Sequence, residues 1–310
     1  MRGPIVNEAQ TFMPTSKQKD SVRNLSLAPY LALCKLRVVG AIVFTAIIGM
    51  FMALPTMPPL DKLFWGAIGI GLAAASAAAL NHVYDREIDG RMGRTERRPL
   101  PQSHLTPRQA NRFAILLCVI SMGILGFLVN PLTAVLTFVS LIGYAVIYTR
   151  YLKRVTTQNI VIGGAAGAAP PVLGWCAVTG TLDPHSLLLF LLIFVWTPPH
   201  FWPLALAKKD EYRLAEMPML PVIYGDEVTK LHILLYSILL LIFSLLPFLT
   251  GLSGLIYLIS AVLLGSIFLI FAVRLKLASD NRLAMPTFAY SLFYLAGIFI
   301  ALLVDHYIHI

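Results

Sequence analysis

Long apolar runs alternate with polar links along nearly the whole chain after residue 36. Each run approaches the roughly 20 residues that a helix needs to cross a hydrocarbon layer about 30 Å thick. Backbone polar groups in lipid must be satisfied within their own segment, which favours helices. We therefore predict an all-α polytopic membrane bundle with nine transmembrane helices, over residues 37–55, 63–84, 113–130, 132–149, 160–179, 186–207, 231–250, 252–273 and 287–305.

Composition supports this interpretation. Of the 310 residues, 58% are hydrophobic and 13% charged, whereas soluble domains have about 45–50% apolar and about 25% charged residues. The polar start of the chain predicts a mobile cytoplasmic tail over residues 1–34, followed by one membrane domain over residues 35–310. The three cysteines lie in or beside apolar runs, which disfavours a disulfide framework or a cysteine metal site.

The basic residues are divided very unequally between the two sides of this predicted topology. Of the 24 Lys and Arg residues, all but Lys62 fall on one side. The positive-inside rule then predicts a cytoplasmic N-terminus, a C-terminus on the far side, and a location in the bacterial cytoplasmic (inner) membrane. The net charge of +9 is explained by orientation, so nucleic acid is not an expected partner.

Two long cytoplasmic loops, predicted over residues 85–112 and 208–230, are the candidate functional segments. The first follows Asn81, Asp85 and Asp89, whose spacing of four residues places all three on one face of a helix. Such an oxygen-lined strip near the membrane suits Mg²⁺, which takes oxygen ligands and bridges to phosphates. The alternative is that these acids only cap an interfacial helix end, which the helix dipole would oppose.

A second acidic motif, Asp210 and Glu211, lies just after the sixth predicted helix, with Lys208 among its basic neighbours. Two acidic motifs at the same membrane surface would hold Mg²⁺ while basic residues neutralise a diphosphate leaving group. Diphosphate at the rim of an apolar bundle indicates a substrate with a polar head and a lipid tail. A polyprenyl diphosphate has this character, and a dry bundle would shield its carbocation from water.

These residues carry a resemblance to a known family. The pattern NxxxDxxxD at 81–89, with a second acidic motif after the sixth helix, resembles the UbiA superfamily of intramembrane prenyltransferases. Three further blocks, at 148–175, 196–212 and 218–222, are similar to the branch that farnesylates haem. The chain departs from the common pattern at Leu36, Glu211 and Glu216, where proline, aspartate and a small residue are more usual.

The resemblance implies transfer of a farnesyl group from farnesyl diphosphate to a vinyl group of haem b, with addition of water to give haem O. It implies Mg²⁺ as cofactor, haem b as substrate, the lipid bilayer as surroundings, and haem A synthase or terminal oxidase assembly as partners. It also assigns metal and diphosphate binding at the cytoplasmic rim to Asn81, Asp85, Asp89, Asp210 and Glu211.

Several other residues are candidates for substrate binding. Four basic side chains would contact diphosphate or the haem propionates, although each is equally well interpreted as a positive-inside anchor: Lys35, Arg37, Lys153 and Arg154. Lys208 is a further candidate for substrate binding. The residues predicted to be catalytic are Asp85, Asp89, Asp210, Glu211 and Lys153. Tyr148 and Asn159 would orient diphosphate or only pack in the core. Arg94, Arg97 and Arg98 are interpreted mainly as anchors, although a loop that folds over the cavity could use one of them.

His200 is the candidate for haem, because it lies at depth in an apolar helix beside Pro198 and Pro199. A lone histidine in such a setting is otherwise a hydrogen-bonded structural residue.

Two alternative functions stay open from the sequence. A prenyltransferase of the quinone pathway would use an aromatic acceptor such as 4-hydroxybenzoate instead of haem. A secondary transporter would bind its ion near the membrane midplane, whereas these acids lie at one rim.

Overall fold

A computed structural model describes residues 27–93 and 95–308. Over this part of the chain the structure is helical, with no β-strand. The helices, numbered in chain order, are α1 (Ala28–Leu33), α2 (Leu36–Met52), α3 (Leu60–Asp89), α4 (Pro107–Val129), α5 (Pro131–Val155), α6 (Asn159–Thr179), α7 (Pro184–Ala207), α8 (Lys209–Leu214), α9 (Leu220–Ile223), α10 (Gly225–Leu249), α11 (Leu255–Leu277) and α12 (Ala284–Ile308).

Eight of these helices are long and apolar enough to cross a membrane, and α2 is a shorter apolar helix of 17 residues. These nine elements match the nine predicted spans in order. The prediction of an all-helical polytopic membrane protein is thus confirmed, and α2 is the shortest of the nine apolar helices.

Several helices extend beyond the predicted apolar runs. Helix α3 continues to Asp89 and α10 begins at Gly225, so the two predicted loops are shorter than expected. The length of an apolar run is set by the thickness of the lipid layer. A helix can continue beyond that run wherever its polar side chains find water, hydrogen-bond partners or ion pairs. Asp226 and Glu227 lie in the first turn of α10, where the helix dipole favours negative charge.

Short polar signals set where the helices start. Thr106 forms a capping box with Gln109 at the start of α4, followed by Pro107. Asn130 caps α5 and also donates from Nδ2 to the carbonyl oxygen of Cys176, at 2.8 Å. Lys62, which the sequence analysis predicts on the far side, donates to the carbonyl oxygen of Val129 at 2.6 Å. That lysine therefore closes a helix end rather than contributing to a binding site.

Small residues allow the helices at the centre to approach closely. A Cβ on Gly174 of α6 would lie 1.9 Å from the carbonyl oxygen of Ala46 in α2, and one on Gly49 would lie 2.1 Å from the carbonyl oxygen of Pro171. These distances leave no room for a side chain. Gly49 and Gly174 therefore allow the close contact between α2 and α6.

One apolar cluster brings the ends of α3 and α7 to the same end of the bundle. Met92, just after α3, packs with Trp202 of α7 and with Tyr212, Met217 and Met219, which follow α7. The two segments predicted to carry acidic motifs are therefore neighbours, although more than a hundred residues separate them in sequence.

The predicted mobile tail ended at residue 34. In the structure Ala28–Leu33 is already helical, and Leu33 is fully buried in a cluster with Ala79 of α3 and Ala110 of α4. Apolar contact with α3 and α4 therefore orders the end of this segment. Residues 1–26 lie outside the described part of the chain.

Candidate active site

The first acidic motif lies entirely within α3, as its spacing predicted. Asn81, Asp85 and Asp89 are 4%, 1% and 4% exposed, respectively. The amide nitrogen Nδ2 of Asn81 donates to Asp85 Oδ2 at 2.8 Å, so consecutive members of the strip are in direct contact. Two carboxylates buried to this degree require compensating positive charge.

Two lysines from other segments supply part of that charge. Lys153, near the end of α5, contacts Asp85 Oδ2 through Nζ at 2.5 Å. Lys35, between α1 and α2, donates from Nζ to Asn81 Oδ1 at 2.5 Å. Both lysines were candidates for diphosphate binding, and the structure brings both to the acidic strip.

Arg98 supplies the third positive charge. Its Nη1 lies 2.8 Å from Asp89 Oδ1 and 2.7 Å from Asp89 Oδ2. Thr95 secures the intervening loop by donating to the backbone carbonyl of Asp89 at 2.9 Å. Loop closure thus returns Arg98 to α3, as the alternative to an anchor allowed, and its contact with substrate stays a prediction. Its neighbour Arg97 is exposed, and Arg94 lies outside the described residues.

Basic side chains outnumber carboxylates at the acidic strip. Three cationic side chains, Lys35, Lys153 and Arg98, surround the two carboxylates of Asp85 and Asp89. Burial and the nearby charges of Arg98 and Lys153 together lower the pKa of Lys35 to about 7, against the opposing effect of Asp85 and Asp89. Such crowding of like charges is relieved by an anion, which makes the site suited to diphosphate.

Unused acceptor capacity also remains at the strip. Among the described residues, the buried Oδ1 of Asp85 has no hydrogen-bond partner. The buried Asn159 donates from Nδ2 to the Lys153 carbonyl at 3.2 Å, and its Oδ1 likewise has no described partner. Asn159 thus holds the backbone that carries Lys153. An unpaired buried carboxylate oxygen is costly in isolation and suits a hard cation.

The second acidic motif, on α8, differs from the first. The Asp210 side chain is 87% exposed and pairs with Arg213 at 3.1 Å. Glu211 pairs with Lys208 at 2.8 Å, and its Oε2 is buried without a described partner. Within residues 27–93 and 95–308, no three His, Cys, Asp or Glu side chains group closely enough to hold one ion. Joint metal ligation by both motifs therefore stays a prediction.

The other predicted residues have varied positions. Arg154 donates to the Tyr84 carbonyl at 2.8 Å, and Arg37 is exposed. The Tyr148 ring packs against Gly163, where an added Cβ would lie 2.3 Å from Tyr148 Cε2. Tyr148 also lines an apolar cavity of about 410 Å³ between α5 and α6.

His200 lies half-buried on α7 and makes contacts mainly with α12. Its ring stacks on Trp196 at a centroid distance of 4.1 Å and on Phe288 at 4.7 Å. Its Nδ1 lies 2.6 Å from the hydroxyl oxygen of Ser291. The histidine is therefore held by three neighbours and is separate from the acidic strip. Sequence reasoning missed Ser291, which no motif distinguishes.

A family comparison adds to this geometry. The model of the UbiA prenyltransferase family matches residues 42–302 of the chain. The chain belongs to the UbiA prenyltransferase family. The match includes the acidic strip, both loops and His200, whereas Lys35 lies just before the matched residues. The prediction of an integral membrane prenyltransferase is confirmed.

Similar sequences carry a more specific name. A protein of Methylococcus capsulatus named protoheme IX farnesyltransferase is 63% identical over 296 residues, which are 96% of this chain and 99% of that protein. A protein of Alkalilimnicola ehrlichii with the same name is 59% identical over 276 residues, covering 89% of this chain and 91% of its own. The resemblance inferred from the motifs is thereby confirmed.

Solved structures of UbiA-type proteins share the fold. A structure of digeranylgeranylglyceryl phosphate synthase has a TM-score of 0.77 at 18% identity, covering 91% of this chain and 98% of that chain. A UbiA homologue from Archaeoglobus fulgidus bound to DMAPP and Mg²⁺ has a TM-score of 0.61 at 17% identity, covering 88% of this chain and 99% of its own. At such low identity these structures support the fold alone.

Proposed function

We propose that the protein transfers a farnesyl group from farnesyl diphosphate to a vinyl group of haem b. The C–O bond to diphosphate breaks, and the vinyl terminal carbon forms a new C–C bond to farnesyl C1. The cation left beside the porphyrin takes up water and loses a proton, which gives the hydroxyethylfarnesyl side chain of haem O. The names of relatives at 59–63% identity support this acceptor and donor.

The single observation that best supports the donor site is the charge arrangement at the end of α3. Lys35, Lys153 and Arg98 outnumber Asp85 and Asp89 there, in a buried setting where electrostatic interactions are strong. These three cations would bind the diphosphate and stabilise the negative charge that develops as it leaves.

The residues also suit Mg²⁺. The free Oδ1 of Asp85 and free Oε2 of Glu211 are buried carboxylate oxygens without described partners, and the metal prefers such oxygen ligands. Asn81, Asp85, Asp89, Asp210 and Glu211 would hold the ion. Bound Mg²⁺ would neutralise charge on the diphosphate. Asp89 would have to share its oxygens with Arg98 or release them.

His200 and its aromatic neighbours form the proposed acceptor site. The ring lies seven residues before the end of α7, or about 10 Å into the bundle at 1.5 Å per residue. A porphyrin held there would have its vinyl edge in an apolar interior while its propionates approached the basic rim. The surrounding helices would exclude water until the new C–C bond has formed.

The proposed setting follows from the same charge pattern. The basic end of the bundle would face the cytoplasm of a bacterial inner membrane, with the C-terminus on the far side. The product would then be available to haem A synthase or to a terminal oxidase during assembly.

One membrane assay tests the proposed function. Membranes containing the protein receive haem b, farnesyl diphosphate and Mg²⁺, and haem O and released diphosphate are measured together. We expect both products in equal amounts, and both should be lost when EDTA removes the metal. Parallel reactions contain 4-hydroxybenzoate in place of haem. Prenylated 4-hydroxybenzoate without haem O would favour the quinone-pathway alternative, and no diphosphate release with either acceptor would favour a transporter.

A further inference from the structure

The hydrogen bonds around Ser291 determine which nitrogen of His200 carries a proton. The Ser291 hydroxyl oxygen lies 2.6 Å from the carbonyl oxygen of Phe288 and 2.6 Å from His200 Nδ1. A hydroxyl has one proton to donate. Two oxygen atoms at 2.6 Å require a proton between them, so Ser291 donates to Phe288. The hydrogen bond to His200 must then be donated by Nδ1–H.

In the neutral imidazole, a proton on Nδ1 leaves Nε2 with a free lone pair. The hydrogen bonds of the described residues include none to His200 Nε2, and this atom is not among the buried unpartnered atoms. The half-buried ring therefore keeps Nε2 accessible. A neutral histidine in this state is a common ligand for iron.

The surroundings also hold the ring and its partner in place. The His200 ring stacks on both Trp196 and Phe288, with interplanar angles of 13° and 24°. Trp196 Nε1 donates to the backbone carbonyl of Ser291 at 2.9 Å, and Ser291 is fully buried. These contacts join α7 to α12 at one level. Histidines that ligate metals are commonly oriented in this way by a second hydrogen bond.

We infer that His200 Nε2 is an axial ligand of the haem iron, and that Ser291 is the positioning residue that holds the Nδ1–H tautomer and the ring orientation. This inference rests on the proposed function, because it takes haem b as the acceptor. It adds a defined point of attachment for the porphyrin. Ser291 has no contact with the acidic strip among the described hydrogen bonds, so its effect should be confined to the acceptor.

The test uses the full chain in lipid nanodiscs, titrated with ferric haem b and followed by visible absorption. Wild type should show a histidine-ligated spectrum. His200→Phe keeps an aromatic ring between Trp196 and Phe288 but has no nitrogen, so we expect that spectrum to disappear. His200→Ala should lose it as well, and added imidazole should restore it. Farnesyl diphosphate binding, measured separately, should be unchanged in both variants.

Ser291→Ala should weaken haem binding about 10- to 100-fold, the usual effect of removing a hydrogen bond that orients a ligating histidine. Ser291→Thr keeps the hydroxyl and should restore much of the affinity. Ser237→Ala is the matched control, since Ser237 is also buried and donates only to the Ile233 carbonyl of its own helix. Its haem affinity should equal that of wild type.

A double variant separates positioning from a general packing effect. If Ser291 acts through the histidine, Ser291→Ala should have no further effect on haem affinity in the His200→Ala background. Additive losses would overturn the positioning role, and an unchanged spectrum in His200→Phe would overturn iron ligation. If wild type forms haem O but the spectra of His200→Phe and His200→Ala are unchanged, iron ligation by His200 is contradicted while the proposed function stands. If wild type prenylates only another acceptor, the proposed function fails first.

Discussion

The two acidic motifs lie at the same end of the bundle but differ in their surroundings. Asp85 on α3 is 1% exposed and contacts Lys153, which lies 68 residues away in sequence. Asp210 on α8 is 87% exposed in its side chain and pairs only with its near neighbour Arg213. A buried carboxylate with distant partners is held in place before substrate arrives. An exposed one is solvated and free to change partners, so similar sequence motifs need not have similar roles.

The largest expected effect comes from comparing Asp85→Asn with Asp210→Asn. Loss of the buried charge should reduce haem O formation at least about 100-fold, the effect of removing one preorganised electrostatic group. Asp210→Asn should cause a much smaller loss, with Glu211→Gln between the two because Glu211 retains a buried free oxygen. Turnover of membranes with matched protein content gives the ranking. Equal losses at 85 and 210 would show that α8 moves into the site during the reaction.

Lys153→Met is expected to have the next largest effect. It removes the cation that contacts Asp85, and breaking a buried ion pair costs about 3–5 kcal/mol. We expect a lower unfolding temperature and a higher KM for farnesyl diphosphate. Arg150→Met is the control, because Arg150 is exposed on the same helix and its recorded contact is with the Tyr151 ring. Similar changes in both variants would contradict a specific role for Lys153.

Arg98 and Arg97 provide a pair of adjacent arginines that the structure separates. Arg98→Ala leaves Asp89 without its bidentate partner and should reduce activity about 10-fold or more, given the 1–3 kcal/mol of a lost charged hydrogen bond. Arg97→Ala should leave activity near that of wild type, since its side chain is exposed. Initial rates at saturating haem measure the difference. Equal rates would return Arg98 to the role of a membrane anchor.

The smallest expected effect concerns Glu216, which follows the second motif. Its φ of 55° lies in the left-handed region that disfavours residues with a Cβ. Glycine or asparagine would therefore suit the position better than other residues. Glu216→Asn should raise the free energy of unfolding by up to about 1 kcal/mol, and Glu216→Ala should not. Thermal unfolding of the two variants in the same lipid compares them, and an equal gain would show that lost charge, not backbone conformation, is responsible.

Much of the fold could be predicted because lipid imposes a strong constraint on sequence. Apolar runs of membrane-spanning length predicted the nine apolar helices in the correct order, but not the short helices α1, α8 and α9. The predicted ends were less accurate, as α3 and α10 show, because hydropathy changes at the membrane surface while backbone hydrogen bonding continues beyond it. The shared face of Asn81, Asp85 and Asp89 followed directly from helical periodicity.

The partners of these residues could not be obtained in the same way. Lys35 and Lys153 were candidates together with Arg37 and Arg154, and Arg98 was interpreted mainly as an anchor. Their roles separated only when α1, α5 and the loop after α3 came together at the acidic strip. Ser291 lies 91 residues from His200 and has no motif at all.

The sequence by itself determined the class of protein, the helical path through the membrane and the oxygen-lined strip on α3. Each of these depends on a short-range property: transfer of an apolar segment into lipid, charge on the nearest loop, or the 3.6-residue period. Tertiary structure alone decided which cations neutralise the strip, how the second motif differs from the first, and which tautomer His200 adopts. Those features depend on contacts between helices distant in sequence. A shift of one helix by one residue along its neighbour would bring different side chains into contact.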